Sequence, residues 1–151
     1  MAENEIIALE HGDLHRFADW PNEDLRISAP GVYTVWRNGQ FLYVGISWQD
    51  RPGSRGLFGR LDQHAAGRRS GDQFCLYVCD RFIVPALSNE QLLGIGDGSI
   101  SLDRLTRDFI RSELDYRAVH TESGTQARAI EATVRRDGLS GSGLPMLNPR
   151  R

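Results

Sequence analysis

Apolar and aromatic residues crowd two short runs early in the chain, Gly31-Val32-Tyr33-Thr34-Val35-Trp36 and Phe41-Leu42-Tyr43-Val44-Gly45. Between them lies Arg37-Asn38-Gly39-Gln40. Asn-Gly between β-branched and aromatic runs predicts a hairpin. The period then lengthens. Leu57, Leu61 and Ala65 recur at helical spacing, predicting a helix over 57–66 that Gly67 ends. Leu102, Leu105, Phe109 and Ile110 predict a second helix over 101–114, and Tyr116 to His120 a short strand. Ser123 with Gln126 forms a capping pattern before the stripe Ala127, Ile130, Val134, so a third helix should run over 124–136 and stop at Asp137-Gly138. Phe74 to Val84 is dense in aromatic and branched residues and reads as a strand closed by Pro85, followed by a glycine-rich loop at 91–99. Residues 1–28 read as an N-terminal extension, with one helical turn around Leu14, Phe17 and Ala18.

The hairpin raises a question of parity. A two-residue turn at Asn38-Gly39 pairs Arg37 with Gln40 and sends Tyr33 and Tyr43 to opposite faces. A three-residue loop with a bulge at Gly39 pairs Trp36 with Gln40 and sets the two phenols across from each other. The second register is expected, because Gly39 adopts positive φ at little cost.

Composition narrows the class. A chain of 151 residues, 40% hydrophobic, is one domain of ordinary soluble composition. The formal charge of −2 gives no global basic footprint, which leaves a local nucleic-acid patch as the only electrostatic route to DNA. Every basic side chain other than histidine is arginine. No apolar run is long enough to span a bilayer, and the acidic start Met1-Ala2-Glu3-Asn4-Glu5 is unlike a secretory signal, so a cytoplasmic protein is expected. On a strand, Cys75 and Cys79 would lie roughly 13 Å apart, too far to bond, so free thiols are expected. His11 and His15 have no further ligand nearby and read as solvated.

The ordered set Gly31-Val32-Tyr33, Tyr43-Val44-Gly45, Arg60, Glu131 and Asn148 resembles the GIY-YIG nuclease family. That family shows a Gly-x-Tyr strand, a Tyr-x-Gly strand, a helix bearing arginine, a later helix bearing glutamate, and often a late asparagine. His64, four residues after Arg60, matches some restriction-type members. The resemblance spans roughly 30–148. It implies an α+β fold, a small antiparallel sheet flanked by helices, filling 29–151. Relative to the minimal core of the family, about 74–99 would be an inserted strand and loop. One departure is the lysine some members carry after the second glycine, where this chain has Ile46-Ser47.

The resemblance implies an endonuclease that hydrolyses DNA phosphodiesters with Mg²⁺ or Mn²⁺ and leaves a 5′-phosphate. Glu131 would bind the cation, as suits an ion that takes few carboxylates and keeps its waters. Arg60 would clamp the phosphate oxygens with its planar fork. Tyr33 would activate water, with His64 taking or steering its proton, since a phenol alone is a poor base. Tyr43 would orient water or phosphate, and Asn148 would tie the tail to the site or touch phosphate. Arg51, Arg55, Arg68 and Arg69 bracket the Arg60 helix and would follow the DNA backbone, although Asp50, Asp62 and Asp72 in the same stretch suit a plain solvated surface. A double-strand break would need a homodimer, a partner protein or two successive nicks. The rival readings are an inactive nucleic-acid-binding module on the same fold and an unrelated α+β interaction domain.

Overall fold

The structure, a computed structural model, describes residues 2–48 and 56–150. Its four strands form one antiparallel sheet in the order β1-β4-β2-β3: β1 His15–Arg16, β2 Gly31–Arg37, β3 Gln40–Ser47 and β4 Asp115–His120. Six α-helices surround it: α1 Glu3–His11, α2 Gly56–Ala66, α3 Gln73–Val78, α4 Asn89–Asp97, α5 Leu102–Glu113 and α6 Gly124–Asp137. The expected α+β architecture is therefore observed. No helix among the described residues is long and apolar enough to cross a membrane.

Helices cover both faces of the sheet. Tyr33, Val35, Tyr43 and Tyr116 point to one side and pack with Leu57 and Leu61 of α2, Phe74 and Val78 of α3 and Ile110 of α5. Val32, Trp36, Phe41 and Val44 point to the other and pack with Leu9 of α1 and Ala127, Ile130 and Val134 of α6. Burial on both faces explains why β2 is apolar almost throughout, with Thr34 its one inward polar residue up to Trp36. That hydroxyl donates to the Leu9 carbonyl at 2.7 Å and accepts from the Trp36 indole at 2.8 Å, which satisfies it and fastens the end of α1.

The hairpin turn differs from the expected one. Arg37 pairs with Gln40 across a two-residue turn in which Asn38 and Gly39 have φ of 48° and 79°. This primed turn matches the right-handed strand twist. The one-residue shift comes later: Trp36 pairs with Phe41, but Val35 pairs with Tyr43, so Leu42 is an extra residue in β3. Tyr33 therefore lies across from Gly45, not Tyr43, and Tyr43 shares its face through Val35.

The segment 74–99 is helical, not the expected inserted strand and loop. The buried positions Phe74, Cys75, Val78, Cys79 and Ile83 recur at helical spacing, and a π-helical turn over Cys79–Ile83 continues α3. Packing of that stripe outweighs the β-propensity of its aromatic and branched residues. Ser88 and Gln91 then make a reciprocal capping box for α4, despite Gly94 and Gly96 in that helix. The cysteines are buried free thiols on this helical stretch. The N-terminal residues join the fold as well: β1 pairs with β4, Leu9 and Phe17 are fully buried, and His15 stacks on Tyr116.

Gly31 marks the closest approach of α2 to the sheet. A Cβ there would meet Leu57 and the Val119 carbonyl, both at 2.4 Å, and the carbonyl belongs to a paired strand that cannot yield. Gly31→Ala should therefore lower the unfolding free energy by about 1–3 kcal/mol, read from the urea midpoint at constant slope. An unchanged midpoint would show that α2 can move off β2.

Candidate active site

The bulge brings both phenols under α2. Tyr33 crosses β3 above its partner Gly45, where a Cβ would sit 2.2 Å from the phenolic oxygen. The second glycine of the Tyr-x-Gly run thus makes room for the first tyrosine. From α2, His64 reaches the same spot: its Nε2 lies 2.6 Å from the Tyr33 hydroxyl. Its Nδ1 lies 2.7 Å from an Asp72 carboxylate oxygen. Tyr33 and His64 are fully buried and Asp72 nearly so.

Asp72 was read as suiting a solvated surface. It caps α3 instead, accepting from the Cys75 backbone N–H, while the Cys75 thiol points at its other oxygen from 3.3 Å. An aspartate preceding Gln73-Phe74-Cys75 carries an N-cap signature, legible only to a reader who takes the next residues as helix.

Charge assigns the protons along this chain. Burial would raise the Asp72 pKa, but hydrogen bonds from His64 and Cys75 outweigh it and hold the carboxyl below its usual range. Burial presses the His64 imidazole below its usual value against the pull of Asp72. Burial, reinforced by Tyr43, drives the Tyr33 phenol well above its usual value although Arg60 opposes the rise. The resting arrangement is an Asp72 carboxylate, a neutral His64 donating from Nδ1, and a Tyr33 hydroxyl donating to the bare Nε2.

Arg60 sits one turn before His64 on the same helix, half-buried. It donates to the Gln63 side-chain oxygen at 2.9 Å and lies close enough to Tyr33 and Tyr43 for its charge to act on both phenols. Tyr43 completes the group, its ring centroid 6.3 Å from that of Tyr33 and 6.4 Å from the His64 ring. Burial lifts its phenol to about 12, with Arg60 opposing and the charge of Glu131 adding to the rise.

Glu131 lies on α6, in the helical layer behind the sheet. Gly124 at the start of α6 packs against Trp48, just past the end of β3, while Arg135 near its end donates to the Pro149 carbonyl. Asn148, the neighbour of Pro149, is bonded to Val44. Glu131 thus sits on the α6 face of the sheet, opposite the face that carries Tyr33 and Tyr43, and its charge still acts on Tyr43. It is half-buried, with one oxygen 3.9 Å from an Arg135 guanidinium nitrogen.

Asn148 serves the backbone. Its side-chain oxygen accepts from Val44 N–H at 2.8 Å and its amide donates to the Val44 carbonyl at 2.9 Å. With Leu147 N–H on the Leu42 carbonyl and Met146 N–H on that of Phe41, the tail covers the edge of β3 where Tyr43 and Gly45 sit. Of the arginines expected to follow DNA, Arg69 is engaged by Asp103 at 2.7 Å, and Arg68 is exposed. Arg51 and Arg55 lie outside the described residues.

Two places could be considered for a metal. His64, Asp72 and Cys75 present ligand atoms within 4.8 Å of one another. Both imidazole nitrogens are engaged, and burial together with the Asp72 charge pushes the Cys75 thiol far up, away from the thiolate a metal requires. That trio suits a hydrogen-bonded relay better than a metal centre. Glu131 fits a hard cation: its negative charge still acts on the site past Arg135, and a single carboxylate suits an ion that keeps most of its waters. A separate cavity of about 520 Å³, lined by Arg37, Phe82, Leu105 and Phe109 among others, shares none of these side chains.

No family model, curated protein or solved structure matches this chain.

The buried imidazole sets a pH dependence. Its folded pKa lies below the ordinary 6.5, so the unfolded chain takes the proton first. Stability is full above about 6.5 and falls as pH drops through that value towards the folded one; Asp72, also depressed, adds a loss below its ordinary 3.8. Urea midpoints should fall between pH 7.5 and 5, and more shallowly in His64→Gln, where His120, depressed by burial too, still titrates. Parallel curves for the two proteins would mean that His64 titrates alike in the folded and unfolded chains.

Proposed function

We propose that this protein is a metal-dependent endonuclease acting on DNA. The observation that carries the reading is the buried Tyr33–His64–Asp72 relay, with Tyr43 beside it and the Arg60 charge acting on the phenols. The order of site residues that resembles the GIY-YIG nucleases supports it independently.

A phenol is too weak a base to take a proton from water and keep it. The relay removes that difficulty. As Tyr33 accepts a proton from water, it passes its own to His64 Nε2, and the Asp72 carboxylate stabilises the resulting imidazolium. The oxygen of the water then bonds to phosphorus as the bond to the 3′ oxygen breaks; that oxygen takes its proton from solvent, and His64 returns its own through Tyr33 to solvent to reset the relay. In the resting arrangement Arg60 donates to Gln63. Turning to a phosphate would let Arg60 meet the growing negative charge there. Tyr43, at the outer side of the group, would orient the phosphate or the water. Glu131 would hold Mg²⁺ or Mn²⁺, which supplies charge neutralisation at the phosphate. Asn148 acts as a positioning residue through the backbone of β3. One site cuts one strand, so a double-strand break calls for a second copy, a partner protein or two successive nicks.

The full burial of Tyr33 and His64 favours a second reading, in which the cluster only stabilises an inactive DNA-binding module. Activity separates the two. Purified protein with Mg²⁺ or Mn²⁺ should nick supercoiled plasmid, and Tyr33→Phe should slow nicking by about 10²–10⁴-fold, the usual range for removing a general base. Glu131→Ala should stop cutting while leaving DNA affinity in place. Folded protein that binds DNA and never nicks it would hand the case to the inactive module.

A further inference from the structure

Trp48 lies immediately after β3 and is 42% exposed, whereas Trp20 and Trp36, the other two tryptophans of the chain, are buried. Exposure of so large an aromatic surface costs solvation free energy, yet the indole is held firmly. Gly124 at the start of α6 receives its inner edge: a Cβ there would come within 2.8 Å of an indole ring carbon and 2.3 Å of the Trp48 carbonyl oxygen. Arg128, one turn on, lays its guanidinium over the ring at 4.3 Å. Two positions on one face of α6 therefore grip a half-exposed indole in one orientation.

Its position relates it to the site. Glu131 follows Arg128 by three residues, roughly 5 Å along the helix axis. Trp48, just past β3, follows Gly45, which underlies the Tyr33 hydroxyl, by about 10 Å of extended chain. The indole and its guanidinium thus lie at the α6 side of the end of β3 that carries Gly45, with Glu131 about one turn further along α6.

We propose that Trp48, with Arg128, is a stacking platform for an unpaired base of the strand being cut, so that the preferred substrate is DNA with single-stranded or unstacked character near the scissile phosphate. The inference rests on the nuclease reading and deepens it. Base-on-aromatic stacking is sequence-tolerant and open only to a base outside a regular duplex stack. A guanidinium on the ring adds a cation beside the phosphate of the stacked nucleotide. The formal charge of −2 agrees with a protein that cannot rely on a broad electrostatic footprint and needs a local, non-electrostatic contact to hold the strand.

The test uses the full chain in EDTA, with a single-stranded oligonucleotide, a gapped duplex and an intact duplex of the same sequence. Trp48 is the accessible tryptophan, so stacking should quench emission with the first two probes and not with the third. Trp48→Ala should weaken binding of the single-stranded and gapped probes by roughly 5- to 100-fold, and Trp48→Phe should recover most of it. With Mg²⁺, nicking of gapped DNA should fall in the same order. Nicking by wild type with no preference among the probes, or a Trp48→Ala protein that keeps the preference, would overturn the platform and leave the nuclease standing. Absence of both binding and nicking in the wild type would overturn the two together.

Discussion

The hydrogen-bonded line from Tyr33 through His64 to Asp72 joins a central strand, a helix on its face and the cap of the next helix. Each member is buried, so each must find its partner inside the fold, and loss of one strands the others at a cost of about 1–3 kcal/mol per orphaned group. The line also fixes protonation. A carboxylate kept ionised by two donors orients the imidazole, and the imidazole leaves a single acceptor for the phenol. Everything rests on strand parity. With a two-residue turn and no further irregularity, Tyr43 would face Thr34 and α6 while Tyr33 faced His64. The extra residue at Leu42 returns Tyr43 to the His64 side.

The edge of β3 is where the two helical layers meet. α2 lies on one face and α6 on the other, yet the charges of Arg60 and Glu131 both act on Tyr43, and β3 is the edge strand of the sheet among the described residues. A bare edge would invite pairing with another chain. The tail removes most of that liability by bonding Phe41, Leu42 and Val44, and Asn148 does so with a side chain that mimics a strand backbone. The stretch past Gly45 carries no such cover from the tail, and there the polypeptide places Trp48.

Elements with one clean period were legible in the sequence: the hairpin arms, α2, α5, β4 and α6 fall within a residue or two of expectation. Phe74 to Val84 was not, because a run buried at adjacent positions satisfies strand and helix patterns alike until the cap is recognised. That single ambiguity hid Asp72, which reads as a solvated turn residue if a strand follows and as a capping group if a helix does. α4 was hidden by its glycines, although Ser88 and Gln91 signalled its start. Tyr33, Tyr43, Arg60 and His64 were picked out by the resemblance to an ordered family pattern; helix spacing put Arg60 and His64 on one face, whereas the shared face of the two phenols comes from the extra residue at Leu42 and not from the expected loop. The fate of Arg69 was not readable, since Asp103 comes from a helix 34 residues away. The pair of hydrogen bonds between Asn148 and Val44 likewise depends on a tail path that no local pattern records.

The chain has no lysine, including at Ile46-Ser47 where some resembling nucleases carry one. A lysine near the phenols would favour a stored phenolate. Here Arg60 is the cation nearest the phenols, and it is outweighed: burial and neighbouring negative groups keep both Tyr33 and Tyr43 protonated. Both phenols are therefore held away from the phenolate form. Under the proposed function, proton affinity must come from beyond the phenol, and His64 is the group within reach whose ordinary pKa is suited to it. Asp72 then has more than a structural part, because a buried imidazole without a carboxylate behind it would resist the charge that the transfer creates. The relay replaces a permanent charge on the base with one that exists only while the proton is in transit, which is what a site buried this deeply can sustain.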